Sequence, residues 1–199
     1  MSEKGPWQLL RRREIYDNPW IHVDEDEVRN PSGGQSLYGR IHFKNQAIGI
    51  IPLDEQGNIW LVGQYRYVPD AYFWEIPMGG SPYTEDALAT AQRELKEETG
   101  LSANRWTLFM HLHTSNSVTD EEGFVFLAEE LTEGETEFEE TEDITVRKLP
   151  LSEAVRMVLN GEITDAISAA GLLKLAYARN SATGSGSEQP AATGCFSEN

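Results

Sequence analysis

The stretch from Met78 to Leu101, MGGSPYTEDALATAQRELKEETGL, sets Glu94, Glu97 and Glu98 beside Arg93. Its apolar spacing predicts a helix, with Thr84 as N-cap, Glu85 and Asp86 in the first turn, and Gly100 at the C′ position. At about 100° per residue, Leu88, Ala91 and Leu95 share one arc, the core-facing stripe. Glu94, Glu97 and Glu98 fall on the adjoining arc, and Arg93 lies one turn before Glu97 and can pair with it. Like charges three and four positions apart repel by roughly 0.2–0.5 kcal/mol per pair. A solvated acidic face tolerates that, but carboxylates beside a core stripe need a compensating charge. A hard divalent cation, Mg²⁺ or alternatively Mn²⁺, takes oxygen ligands and supplies it.

The chemistry open to such a cluster is hydrolysis of a charged phosphate linkage. A pyrophosphate resists attack because its oxygens are anionic and repel a nucleophile. Metal ions neutralise that charge and lower the pKa of a bound water. A carboxylate that takes the water's proton adds a factor of about 10²–10⁴ in rate. Other routes lack their residues. The one cysteine, Cys195, lies near the C-terminus, so no thiol serves the body of the fold and no intrachain disulfide forms. No histidine pair has metal-site spacing on a predicted helix. His111 and His113 lie two apart in MHLHTS and read as structural or rim residues on one strand face.

The spacing of the acidic stretch is more specific than its composition. It runs Gly79, five residues, Glu85, seven residues, Arg93-Glu94-Leu95-x-Glu97-Glu98-x-Gly100-Leu101. This matches without a gap the Nudix box, the signature of hydrolases acting on nucleoside diphosphates linked to another moiety. WEIPMGG resembles the approach to the box in the ADP-ribose pyrophosphatase branch of that family. ETEDITVRKL resembles the branch's second acidic loop, and GEITDAISAAGLLKL its closing helix, so the likeness covers about residues 45–178. One position departs. The branch carries Ser-Pro-Gly after the box, and this chain has Ser115-Asn116-Ser117, with Asn116 in the proline's place.

The resemblance implies roles residue by residue. Glu94 and Glu98 fall on the metal-binding carboxylates of the box, and Glu97 on a third that ligates or supports a second metal. Met78 falls where the family uses a backbone carbonyl as ligand. Arg93 matches the arginine that orients a box glutamate. Glu142 falls on the acidic-loop ligand and Glu140 on the catalytic base, with Glu139 one register step away. On composition alone that acid-rich segment is a solvated loop. Arg66 falls on an arginine that meets the diphosphate, as a fork-shaped donor suits; a plain surface ion pair is the other reading. Glu75 is expected to position that arginine or the ribose, Glu121 to lie near the terminal sugar, and Asn116 to shape the sugar site. Trp20, Tyr65, Tyr67 and Trp74 are candidates to stack on a base, or are core and interface residues.

Elements must hold these residues. The chain has 199 residues, 39% of them hydrophobic, enough for one sizeable core. A net charge of −17 and a pI near 4.5 disfavour nucleic-acid and membrane partners, so an anionic substrate needs local Arg or Lys groups or a bridging cation. Trp7–Asp17, Ile21–Arg29 and Gln35–Phe43 read as strands of an N-terminal β subdomain, residues 1–45. Its few apolar residues make it lean on another body, and the resemblance implies dimerisation. Residues 46–180 read as the hydrolase domain. There AIGIIPL and IWLVGQ read as a buried hairpin, FVFLAEEL and ITVRKLPL as further strands, and SEAVRMVLNG and TDAISAAGLLKLAYA as amphipathic helices begun by Ser152 and Thr164. Residues 181–199, small and polar, read as a flexible tail.

The fold class is therefore α/β (α+β), and the resemblance sharpens it to a Nudix α/β/α sandwich with a mixed sheet. The expected function is Mg²⁺-dependent cleavage of ADP-ribose or nucleoside-diphosphate sugars, by a cytoplasmic homodimer. The competing readings are a non-catalytic nucleotide-binding module of the same fold, and a hydrolase of another dinucleotide such as NADH or a diadenosine polyphosphate.

Overall fold

Turn chemistry sets the first sheet. The computed structural model of the protein describes residues 3–135 and 144–183. β1 (Glu3–Lys4), β2 (Trp7–Asp17), β3 (Ile21–Arg29) and β4 (Gln35–Phe43) form an antiparallel meander in that order. At the DNPW turn Asn18 Oδ1 accepts the backbone N–H groups of Trp20 and Ile21 at 2.8 and 2.7 Å. At the next, Asn30 Oδ1 accepts those of Ser32 and Gly34, and Gly33 takes a φ of 87°.

The interior of this sheet is held by charge. Among its described residues Val28 is the one buried apolar side chain, while Asp24 and Asp26 are also buried. Asp24 accepts from Arg40 at 2.6 Å and meets His22 Nε2 at 2.9 Å, and Arg12 grips Asp26 through two bonds of 2.7 and 2.8 Å. Burial pushes the Asp24 carboxyl up. The bonds from Arg40 and His22 and the charges of Arg12 and Arg40 outweigh it, holding Asp24 below the ordinary carboxylate range. Some outside support for this apolar-poor sheet comes from its own chain. Ile41 N–H donates to Val118 O at 2.9 Å, Asp120 N–H to Ile41 O at 3.2 Å, and Tyr38 Oη to Ser117 O at 2.6 Å.

The rest of the chain builds two sheets. β8 (Met78–Pro82), β5 (Asn45–Pro52), β10 (Glu122–Glu133) and β9 (Leu101–His113) lie side by side in that order, with β5 and β10 parallel and the other pairs antiparallel. β11 (Thr145–Pro150), β6 (Asn58–Arg66) and β7 (Ala71–Glu75) form an antiparallel trio. The helices are α1 (Ala87–Thr99), α2 (Leu151–Leu159) and α3 (Ala166–Thr183).

Strand alternation assigns the layers. Ile48 and Ile50 of β5 pack with Trp60, Phe126 and the Ala91 and Leu95 stripe of α1. Ile51 joins Ile59, Leu61 and Val125 against Met157 of α2 and Ile167, Leu172 and Leu175 of α3. Both faces are covered, so β5 and β6 read as nearly unbroken apolar runs. The α/β/α arrangement with a mixed sheet is the one expected.

Several local expectations are corrected. AIGIIPL and IWLVGQ are not a hairpin: β5 and β6 belong to different sheets and share only the isolated bridge Leu53↔Ile59 beyond the turn at Asp54–Asn58. Both strands are apolar on two faces, so the pattern marked burial without marking the partner. The N-cap of α1 is Asp86, not Thr84, with its Oδ1 accepting from Leu88 and Ala89 at 2.9 and 3.0 Å. α2 is entered through Pro150 with no side-chain cap, so Ser152 does not begin it. At the start of α3, Asp165 Oδ2 accepts from Ser168 N–H at 2.7 Å, doing the work expected of Thr164. Residues 181–183 continue α3; the remainder of the expected tail lies outside the described residues.

The corrected cap makes a simple test. Asp86→Ala should cost about 0.5–2 kcal/mol of stability in urea denaturation. Thr84→Ala should change it by less than about 0.5 kcal/mol. Equal losses at both positions would show the cap is misplaced.

Candidate active site and metal centre

The segment joining β7 to β8, Glu75-Ile76-Pro77-Met78, is tied down from three directions. Ile50 N–H donates to Pro77 O at 2.8 Å, Ile76 N–H to Ser168 Oγ of α3 at 3.0 Å, and Met78 N–H to Glu98 Oε2 of α1 at 3.0 Å. The last bond seats the end of the acidic helix on the start of β8. Opposite it, Gly79 has no side chain for a reason: a Cβ there would fall 2.0 Å from the Glu94 carboxyl carbon. Glycine lets that carboxylate lie on the β8 backbone.

The box carboxylates are therefore drawn inward. Glu98 is 2% exposed and Glu94 9%. Glu97 is half-buried. Arg93 serves two of them, with Nη2 2.8 Å from Glu94 Oε1 and Nη1 2.8 Å from Glu97 Oε2. Burial lowers the Arg93 pKa, but Glu94 and Glu97 raise it further, so the guanidinium stays charged. Buried carboxylates in an all-oxygen donor set, against a backbone cleared by glycine, fit a hard divalent cation. Among the described residues, the one trio of donor side chains with ligand atoms all within 4.8 Å of one another lies elsewhere, at His111, His113 and Glu122.

Arg66 and Glu75 meet across the β6–β7 pair. Arg66 Nε donates to both Glu75 oxygens at 3.1 and 3.2 Å, and Nη2 donates to Oε2. Burial lowers the Arg66 pKa, but the bond it donates to Glu75 and the charges of Glu75, Glu98 and Asp165 raise it. Arg66 thus sits within the field of the box. The pair lines a cavity of about 430 Å³ with Phe73, Pro69, Thr164 and Asp165. It is not a plain surface pair, because Glu75 is 4% exposed.

Asn116 and Glu121 lie in a second place. Ser115 O accepts from Val118 and Thr119 N–H at 3.1 and 2.9 Å, turning the chain at Asn116, which is exposed. Asp120 anchors the loop to β4, with Oδ2 2.6 Å from His42 Nδ1 and Oδ1 accepting from Phe43 N–H at 3.0 Å. Thr114 Oγ1 donates to Glu121 Oε2. Neither Asn116 nor Glu121 lines the Arg66 cavity. Glu139, Glu140 and Glu142 lie outside the described residues. Trp20 and Tyr67 are 66% and 92% exposed, and Tyr65 59%, whereas Trp74 packs against the core with its edge to Tyr72.

Sequence reasoning missed Asp165 and Ser168. Both stand in TDAIS, where a helix-start pattern was visible but not its position under the Glu75–Met78 segment. It also missed Thr90, whose hydroxyl donates to Ser81 at 2.9 Å in a buried α1–β8 contact.

Known proteins show the same combination. A NUDIX domain model matches residues 44–168, and a model of the nucleoside diphosphate sugar hydrolase N-terminal domain matches residues 7–41. An ADP-ribose pyrophosphatase of Mycobacterium tuberculosis is 38% identical over 171 residues, covering 84% of this chain and 82% of the relative. One from Bacillus subtilis is 32% identical over 164 residues, covering 81% and 88%. A solved ADP compounds hydrolase shares the fold, with a TM-score of 0.80 and 19% identity over 92% of this chain and 99% of its own. A gap-free box on α1, a domain match running from the start of β5 into α3, and relatives that span most of the chain lead to one assignment: the chain belongs to the NUDIX family.

Proposed function

We propose that the chain is a Mg²⁺-dependent hydrolase splitting the diphosphate of ADP-ribose and nucleoside-diphosphate sugars into a nucleoside monophosphate and a sugar phosphate. The observation that carries this reading is the seating of Glu98 on Met78 N–H, with Glu94 against Gly79, in the field of Arg66 and its cavity. The relatives named ADP-ribose pyrophosphatase support the substrate class.

In this reading Glu94, Glu98, the Met78 carbonyl and Glu142 hold the cation, with Glu97 as a further ligand or support. A divalent cation, Mg²⁺ or Mn²⁺, supplies charge neutralisation at the diphosphate and acidifies water. Arg93 fixes the orientation of Glu94 and Glu97. Arg66 offers its fork to the diphosphate oxygens and Glu75 holds that fork in place. Glu140 takes the proton of the attacking water as the new P–O bond forms and the bridging P–O bond breaks. Glu139 is the neighbouring choice for that base.

Residues 1–45 would serve assembly and 46–180 catalysis. Ile15, Trp20 and Leu37 on the first sheet stay 49%, 66% and 64% exposed, which suits a homodimer through that sheet. That partner would cover the side of the protomer where Asn116 and Glu121 sit. A cytoplasmic setting is part of the same reading. No helix among the described residues is long and apolar enough to cross a membrane.

Three outcomes test it. Glu98→Gln keeps an oxygen for Met78 N–H but loses the charge, so the fold should survive while kcat falls about 10²-fold or more. Wild-type turnover at limiting Mg²⁺ would remove Glu98 from the centre. In the same assay Glu140→Gln should lower kcat and leave KM within a few-fold; damage from Glu139→Gln alone would shift the base by one residue. In light scattering, the particle should weigh about twice the 22.3 kDa chain at micromolar concentration, and a monomer would refute the dimer.

A fourth outcome concerns Asn116. Proline in its place would fix φ and lack an N–H; asparagine adds donors and an acceptor, flanked by two serine hydroxyls. Such a loop suits a hexose as well as a ribose. Measured kcat/KM should extend to ADP-glucose, GDP-mannose or UDP-glucose alongside ADP-ribose. A preference for ADP-ribose above about a hundredfold over every hexose would contradict the loop argument. A preference for NADH or diadenosine polyphosphates would overturn the substrate class.

A further inference from the structure

The histidines divide into two kinds. Of the four in the chain, His22 and His42 are bound to aspartates, at Asp17 and Asp24 and at Asp120. His111 and His113 instead face each other. They stand two residues apart on β9 and so on one side of the strand. Their ring centroids lie 5.1 Å apart with the planes 65° inclined. Across the antiparallel pairing, His113 is opposite Glu122 and His111 opposite Phe124. Phe124 stacks on the His111 ring at 4.6 Å and 9°, which fixes that imidazole. Glu122 Oε1 approaches His111 Nε2 to 3.4 Å. One donor atom from each of the three lies within 4.8 Å of the others.

The geometry points to a second metal site, formed by His111, His113 and Glu122, that takes a transition-metal dication of the Zn²⁺ class. Two imidazole nitrogens and one carboxylate oxygen suit such an ion and not Mg²⁺. Bonds of about 2.0–2.2 Å around a tetrahedral centre put donors about 3.4 Å apart. The His111–Glu122 distance already meets that, and both histidines are exposed, so rotation of His113 closes the third corner. The remaining coordination position opens to solvent.

The site is separate from the box. β9 and β8 are the opposite edges of the four-stranded sheet, three inter-strand steps apart. At about 4.8 Å per step that is roughly 14 Å for the two histidines, and roughly 10 Å for Glu122, which lies on β10. Nor does it depend on the hydrolase reading, since it rests on strand register and donor type alone. Its position has a consequence. His113 ends β9 and Glu122 begins β10, so a bound ion staples the two stems of the loop 114–121 that carries Asn116.

The test is binding, not turnover. Untagged Cys195→Ser protein, which removes the one thiol, is titrated with Zn²⁺ by calorimetry in millimolar Mg²⁺, which occupies the oxygen site. Co²⁺ substitution is followed in parallel by its visible ligand-field bands. One Zn²⁺ per chain is expected, with amide exchange slowed at residues 113–122. His113→Ala and Glu122→Gln should each weaken binding by about tenfold or more, since even supporting groups of metal ligands are worth 10–100-fold. Glu122→Gln preserves side-chain shape and decides the matter if His113→Ala perturbs the fold by circular dichroism. Absence of stoichiometric Zn²⁺ binding, or equal affinity in the folded variants, overturns the site.

Discussion

Glu98 ends the acidic helix as a carboxylate that is 2% exposed, and its one described backbone partner is the N–H of Met78. That bond joins α1 to β8 at the point where the candidate catalytic groups converge. A buried carboxylate costs several kcal/mol unless it is hydrogen-bonded and neutralised. The chain meets the first need with backbone from β8. Within the protein, Arg93 is turned to Glu94 and Glu97, and Arg66, which lies within the field of Glu98, is gripped by Glu75. Carboxylates drawn inward on oxygen donors in this way fit a hard divalent cation at the seam between α1 and β8.

The remaining architecture keeps this seam in place. β8 is short and lies at a sheet edge, but β5 pairs with it through Asn45–Gly49 and is itself buried on both faces. Ala91 and Leu95 clamp α1 to the Ile48–Ile50 side of β5. On the other side, Ser168 of α3 accepts the Ile76 N–H, and Asp165 one turn earlier stands in the Arg66 cavity. One helix start thus fixes both the approach to the box and the far wall of the cavity. The loop carrying Asn116 is governed separately, by Asp120 anchored on β4. That loop is thereby tied to the first sheet.

Much of this was legible from the chain alone, for physical reasons. Like charges beside a core stripe are costly, so Glu94, Glu97 and Glu98 announced a site. Gly100 marked the helix end, where it takes a φ of 72°. The three long strands of the first sheet follow from alternation and turn residues. Partnering was not legible. β5 and β6 look like a hairpin because two-sided burial erases the alternation that would reveal which sheet each belongs to. Asp86 displaced Thr84 as the cap because several good capping residues stood in a row. The place of Asp165, and the cross-strand meeting of His113 with Glu122, depend on contacts distant in sequence, which no local pattern encodes.

In the proposed function, α1 holds carboxylates for a cation that enables diphosphate cleavage. The most direct measurement follows ADP-ribose by ³¹P NMR with the protein, first in EDTA and then in Mg²⁺. An intact diphosphate is expected in EDTA, and its replacement by two phosphomonoester signals, AMP and ribose 5-phosphate, once Mg²⁺ is added. Substrate that binds yet keeps its diphosphate in Mg²⁺, or cleavage that proceeds equally in EDTA, would contradict it.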